Sequence, residues 1–323
     1  MGSKESGWCD VPFWSLADIR NARPNVRFWR WIRHFFATKR VLQWQRYEGI
    51  TKPSDAPLVR TSPWLELKSE VGLMLAKEKS MHLQFVGCGD AFGSGGRFNT
   101  CFHVHSNNLD FLIDCGASSL VAMKSLKIDR NVIELILITH FHLDHFGGIP
   151  FFILDAQLVA KRTRPLIIAG PPGLNDWFNR LFAVAFPGER KLSFDLKLQE
   201  LDIGSRNQIA GLEVTPFHVK HDDKVGPCLA YRIELDEKII CYSGDTEWTD
   251  VLLKAAHGAD LFICECYMLD KVVRTHLSLS TLVEKLPAIG AKRVVLTHMS
   301  DDVLSRADEI KWELAEDGKS VSL

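Results

Sequence analysis

The chain has 323 residues, 46% of them hydrophobic, enough for one large domain or two small ones around a sizeable core. A formal net charge of −1 excludes a protein that binds polyanions with its whole surface. No stretch reaches the roughly 20 apolar residues needed to span a bilayer. Eight cysteines occur without a CxxC pair and no secretory signal opens the chain, so the expected compartment is the reduced cytoplasm.

Residues 1–80 differ from the rest. They carry a net charge of +6 against −7 for the remainder, and six of the nine Trp. The run from Phe28 to Phe36 (FWRWIRHFF) mixes basic and aromatic residues, with no clean helical stripe. Residues 51–63, with prolines at 53, 57 and 63, read as linker. Three readings compete for the segment: a small helical extension, an interfacial membrane helix, or an over-long reading frame, since Met81 directly precedes a convincing strand. The expected division is a basic, Trp-rich extension over 1–80 and a hydrolase domain over 81–323.

From Met81 onward short apolar runs predict strands at 82–87, 101–105, 109–114, 135–139, 165–169, 212–217, 229–235, 239–243, 261–264 and 293–297. Helical spacing fits 147–161, 174–184, 249–257, 278–287 and 302–315. Strands with helices interspersed predict an α/β layer architecture, sheets with helices packed outside.

The most informative motif follows the run Leu135–Ile138. Thr139-His140-Phe141-His142-Leu143-Asp144-His145 is an HxHxDH cluster, with ligand types suited to first-row metal ions. In an extended loop His140 and His142 point the same way and can share one ion. Asp144 and His145, where the chain turns into a helix opened by Gly147-Gly148, can aim at a second. Hydrolytic pairs sit about 3.5–4 Å apart, and a bridging carboxylate is expected from elsewhere. Candidates stand just beyond other apolar runs: His221, with His218 as its competitor, Asp245 in Ser243-Gly244-Asp245-Thr246, and His298 after Thr297.

Asp114 in Phe111-Leu112-Ile113-Asp114-Cys115-Gly116, the HxHxDH cluster, His221, the Ser-Gly-Asp-Thr turn and the final Thr-His occur in the order of the metallo-β-lactamase fold superfamily, which residues 82–300 resemble. The resemblance implies an αββα sandwich with the metals at one edge. It implies that His140, His142 and His221 bind one metal, that Asp144, His145 and His298 bind the other, that Asp245 bridges, and that Asp114 supports the ligands from behind. Spacing from the strand aligns His221, rather than His218, with the superfamily's ligand.

Glu265, after Leu261–Cys264, and His276, in Thr275-His276-Leu277-Ser278, look like the paired Glu and His-x-Ser/Thr motifs of the ribonuclease Z branch. The stretch from Gly87 to Thr100 resembles that branch's glycine-rich opening loop. A His held by a carboxylate can protonate a leaving alkoxide, and Asp144 can orient or deprotonate the attacking water. The departures are equally specific. Between His145 and His221 only the turn from Phe186 to Lys191 stands where that branch carries a tRNA-gripping arm. Asp301-Asp302 follows the last histidine, and the region is net acidic, where RNA binding leans on Lys and Arg.

The expected function is therefore a two-metal phosphodiesterase acting on a small or accessible phosphodiester, such as a cyclic nucleotide or short nucleic acid. The runner-up is tRNA 3′ processing, for which the basic N-terminal segment would replace the arm. A glyoxalase-type thioesterase and a non-catalytic metal-binding member of the fold remain as alternatives. Zinc is the default ion, with manganese or iron also suited to such ligands. The resemblance also implies a homodimer.

Overall fold

The computed structural model describes residues 81–188, 191–271 and 273–323. The readings made for residues 1–80 lie outside the described residues.

Two seven-stranded mixed sheets face each other. The first contains β1 (His82–Gly87), β2 (Cys101–His105), β3 (Asp110–Ile113), β4 (Leu135–Leu137), β5 (Leu166–Gly170), β6 (Leu196–Glu200) and, at its other edge beside β1, β14 (Ser320–Ser322). The second contains β7 (Asn207–Ile209), β8 (Leu212–Val219), β9 (Cys228–Leu235), β10 (Lys238–Tyr242), β11 (Leu261–Glu265), β12 (Val294–Thr297) and β13 (Glu313–Leu314), paired in that order. Each sheet begins antiparallel and ends parallel: β3, β4, β5 and β6 run together in one, and β10 to β13 in the other.

Strand alternation explains the layering. Side chains one apart face opposite ways, so Phe111 and Ile113 enter the core between the sheets while Leu112 faces outward. Likewise Ile240 and Tyr242 point in and Cys241 points out. The outward face of the first sheet is covered by α1 (Ser119–Ser125) and α3 (Ile149–Leu158), with the amphipathic α4 (Leu174–Ala185) beside them. That of the second is covered by α5 (Val251–Ala256) and α6 (Leu279–Lys285). These are the four layers of the αββα sandwich. Each large apolar side chain so buried contributes roughly 1.5–3 kcal/mol, which makes three contiguous cores the main support of the fold.

The expected helix over 302–315 is corrected. Only α7 (Asp301–Leu304) and one 3-10 turn form there, and the chain then extends as β13 beside β12. The carboxylate of Glu313 accepts from Arg293 at 2.7 and 2.8 Å and pairs with Lys319 at 3.0 Å, so tertiary partners override helical spacing. The short β6, β7, β13 and β14 and helix α1 were not anticipated. A second correction concerns Asp144 and His145. They already lie in a one-turn helix, α2 (Leu143–Phe146), and Gly147 ends it before Gly148 opens α3.

Arg162 is almost completely buried, and its guanidinium donates to the carbonyls of Arg130, Asn131, Ile133, Arg164 and Pro165 at 2.6–3.3 Å. It ties together the segments that lead into β4 and β5. Arg162→Met should lower stability by on the order of 3 kcal/mol, because it leaves several carbonyls desolvated and unpaired. The denaturant midpoint measures this; an unchanged midpoint would show that water replaces the guanidinium at no cost.

Candidate metal centre

The C-terminal ends of β3, β4, β8, β10, β11 and β12 gather at one edge of the sandwich. Each delivers a polar residue at its last position or within three residues of its end: Asp114, His140, His221, Asp245, Glu265 and His298. Close backbone approach is required there. A Cβ on Gly116 would lie 2.1 Å from the carbonyl oxygen of Asp144, so only glycine lets the chain after β3 support α2 from beneath. Asp114, Thr275 and His298 adopt positive φ of 59°, 79° and 56°. Such backbone costs of order 1–3 kcal/mol per residue and persists where the surroundings over-determine it, typically at functional sites.

Two groups of ligand-type atoms result, each within 4.8 Å of one another: His140, His142 and His221; and Asp144, His145, Asp245 and His298. The hydrogen bonds on the far side of each ring assign its lone pair. The Thr275 carbonyl can only accept, so His221 Nδ1 donates to it at 2.8 Å and Nε2 carries a lone pair. Asp222 accepts from His142 Nε2 at 3.3 Å, which leaves His142 Nδ1 as the acceptor. Thr139 Oγ1 donates to Asp114 and so accepts from His140 Nδ1 at 3.1 Å, leaving Nε2 free. His142 Nδ1 therefore faces His221 Nε2 at 3.0 Å and His140 Nε2 at 3.2 Å with lone pairs toward one another. Three converging acceptors repel unless a cation lies among them, so these residues fit a metal ion.

The second group has the same logic. His145 Nδ1 donates to Asp114 at 2.7 Å, and Thr100 stands 3.4 Å from His298 Nδ1. Their Nε2 atoms both approach Asp245 Oδ2 at 3.2 Å, and His145 Nε2 lies 3.3 Å from Asp144. His145 Nε2 and Asp245 Oδ1 are buried without a hydrogen-bond partner among the described residues, as expected of atoms that face an ion rather than the protein. Asp245 Oδ2 is also 3.9 Å from His221 and 4.0 Å from His140, which places one carboxylate oxygen between the two groups.

The electrostatics agree. Burial holds the imidazoles of His140 and His221 below the usual histidine range, the neutral form a metal requires. Burial also opposes charge on His145, but Asp245, Asp144 and Asp114 outweigh it and raise the imidazole well above that range. Burial disfavours the charged carboxylate of Asp245, yet His145 and His298 hold it well below the carboxylate range. This is a pocket that demands positive charge.

Beside it stands the second pair. Glu265 is fully buried; its carboxylate accepts from the backbone of Thr246 and Leu277 and lies 3.2 Å from His276 Nδ1. A ligand-type atom of His276 lies within 4.8 Å of those of His221 and Asp245. Burial disfavours its protonation, but Glu265 prevails and raises His276 to about 9. His142, Asp144, His221, Asp222, Asp245, Thr275, His276 and His298 line one open cavity of about 680 Å³, with Asn99, Lys224 and Tyr267 among its other walls.

Every candidate residue named from the sequence thus comes together at this edge except His218, which is exposed on β8 away from the cluster. Asp222, Thr100 and Thr275 were missed. Asp222 directly follows His221, but nothing in the sequence indicates that it turns back onto His142.

Residues 81–320 match the family described as Anti-Pycsar protein Apyc1. A ribonuclease Z of Agathobacter rectalis is 28% identical, the match covering 70% of this chain and 93% of that enzyme. Among solved structures, the metallo-β-lactamase fold protein YhfI of Bacillus subtilis has a TM-score of 0.62 at 20% identity, covering 76% of this chain and 100% of that one. The short form of human tRNase Z has a TM-score of 0.60 at 23% identity, covering 74% and 98%. No helix among the described residues is long and apolar enough to cross a membrane. The chain belongs to the Anti-Pycsar Apyc1 family, as a metal-dependent, phosphodiesterase-like hydrolase of the metallo-β-lactamase fold related to ribonuclease Z.

Proposed function

We propose that this protein hydrolyses a cyclic nucleotide at a two-metal centre. The observation that carries the reading is His276, a proton donor anchored on buried Glu265 and aimed at the same cavity as both ligand groups. Membership in a family of cyclic nucleotide phosphodiesterases supports the substrate class. In this reading His140, His142 and His221 would hold one ion and Asp144, His145 and His298 the other, with Asp245 as the bridging carboxylate. Zinc is the expected metal, with manganese or iron as alternatives. When bound, the two ions supply Lewis-acid activation of a water nucleophile and of the phosphoryl group.

The chain's own residues do the rest. Asp144 orients the attacking water and accepts its proton. The new bond forms between the water oxygen and phosphorus, and the bond from phosphorus to a ribose oxygen breaks. His276 delivers its proton to that departing oxygen while Glu265 holds the imidazole in place. Asp114 and Asp222 fix the rings of His145 and His142. Asp222→Ala should weaken metal affinity by about 10–100-fold, the usual cost of losing a carboxylate behind a ligating imidazole. Competition with a chromophoric chelator reads it; unchanged affinity would show that Asp222 does not orient His142.

An open cavity, a net-acidic catalytic region and the absence of a long arm between His145 and His221 favour a small substrate over a tRNA. A cytoplasmic homodimer completes the proposal. The test is turnover by metal-loaded protein of cyclic nucleotides, bis(p-nitrophenyl) phosphate, a pre-tRNA, a glutathione thioester and a chromogenic lactam. Preference for cyclic nucleotides is expected. Efficient pre-tRNA cleavage with cyclic nucleotides left intact would replace this reading with tRNA processing.

A further inference from the structure

Phe92 is 82% exposed, yet the loop that carries it is firmly built. Fully buried Asp90 accepts from the backbone N–H of Phe92 at 3.1 Å and of Ser94 at 2.9 Å, and from the Ser94 hydroxyl at 2.6 Å. Asn99 donates to the Asp90 carbonyl at 3.0 Å, and Gly95 N–H donates to Asp301 at 2.8 Å. Gly93, Gly95 and Gly96 supply the positive φ of 71°, 65° and 73° that the turn requires. The loop is therefore held by polar contacts and needs nothing from the phenyl ring, which it presents to water at the rim of the metal cavity. Leu143, 58% exposed, borders the same cavity, and Lys224 does so with no ion pair among the described residues.

We infer that Phe92 is the platform on which the base of the substrate stacks, a site that selects for a planar aromatic group attached to the phosphorylated sugar. The inference rests on the nucleotide reading above and names what that reading leaves open, the grip on the base. With the phosphate at the ligand cluster, the base must extend outward along the cavity wall. An aromatic ring carried on a backbone fixed in advance at that rim pays less to order itself when it stacks. Every base has a π-face, so such a platform tolerates different bases.

Calorimetry on metal-loaded wild type and Phe92→Ala, with adenosine 5′-monophosphate and with ribose 5-phosphate, tests this without relying on turnover. Wild type should bind the nucleotide about 10-fold or more tightly than the base-less sugar phosphate, Phe92→Ala should lose most of that advantage, and Phe92→Tyr should restore it. Phe92 buries little, so the Ala variant should keep its unfolding midpoint. An advantage that survives in Phe92→Ala, or none in wild type, overturns the platform. Loss of the advantage in Phe92→Ala, in a protein that cleaves no phosphodiester, upholds the platform and refutes the catalytic reading instead.

Discussion

His276→Ala should lower the turnover of a cyclic nucleotide by about 10²–10⁴-fold and that of bis(p-nitrophenyl) phosphate far less. A ribose alkoxide is a poor leaving group and needs a proton as it departs; p-nitrophenolate leaves without one. The imidazole is well placed to give that proton because Glu265, fully buried and 3.2 Å away, keeps it charged. The pH dependence follows with a definite sign. His276 is raised from its ordinary value to about 9, so the donating form is present at neutral pH and is lost as pH rises through that value. Cations at the proposed metal sites would disfavour the imidazolium, so the alkaline limb for the cyclic substrate should fall at or below pH 9. That limb should be absent in His276→Ala. The pair's contribution to stability has the same sign: it is complete below the unfolded histidine pKa and is lost as pH rises through the folded one. Equal losses on both substrates would show that His276 is not the acid.

Asp245→Ala should be the most damaging single change at the site, with turnover of every phosphodiester falling by roughly 10³-fold or more. A metal ion supplies several kcal/mol of transition-state charge stabilisation, and each 1.36 kcal/mol is a factor of ten. Asp245 Oδ2 lies 3.2 Å from both His145 and His298 and about 4 Å from His140 and His221, so its loss should loosen both of the proposed ions at once. The buried imidazoles also lose the carboxylate they converge on. Metal content measured by plasma emission should drop below two per chain. Two tightly held ions in Asp245→Ala would remove it from the bridging role.

Much of this site was legible because its chemistry is written in short motifs. Three histidines and an aspartate within six residues, placed after a buried strand, have few uses besides metal binding. His221, Asp245 and His298 were legible for a related reason: each follows an apolar run, and in layered sheets the strand ends meet at one edge. What sequence hid was contact between distant segments. Asp222 reaches His142 across 80 positions, and Thr100 reaches His298 across 198. The supposed helix over 302–315 failed in the same way, since β12 and the cations Arg293 and Lys319 turned Glu313–Leu314 into an edge strand. Phe92 was equally invisible: only the structure reveals a phenyl ring left in water by a loop that does not depend on it.

In the proposed function two metals and His276 together open a cyclic phosphodiester with water. Hydrolysis of a 3′,5′-cyclic nucleotide in H₂¹⁸O, with metal-loaded and chelator-stripped protein side by side, tests it most directly. The loaded protein should yield a nucleoside monophosphate with one ¹⁸O on phosphorus, and the stripped protein should yield none. A loaded protein with two ions per chain that leaves every cyclic nucleotide intact would contradict this reading.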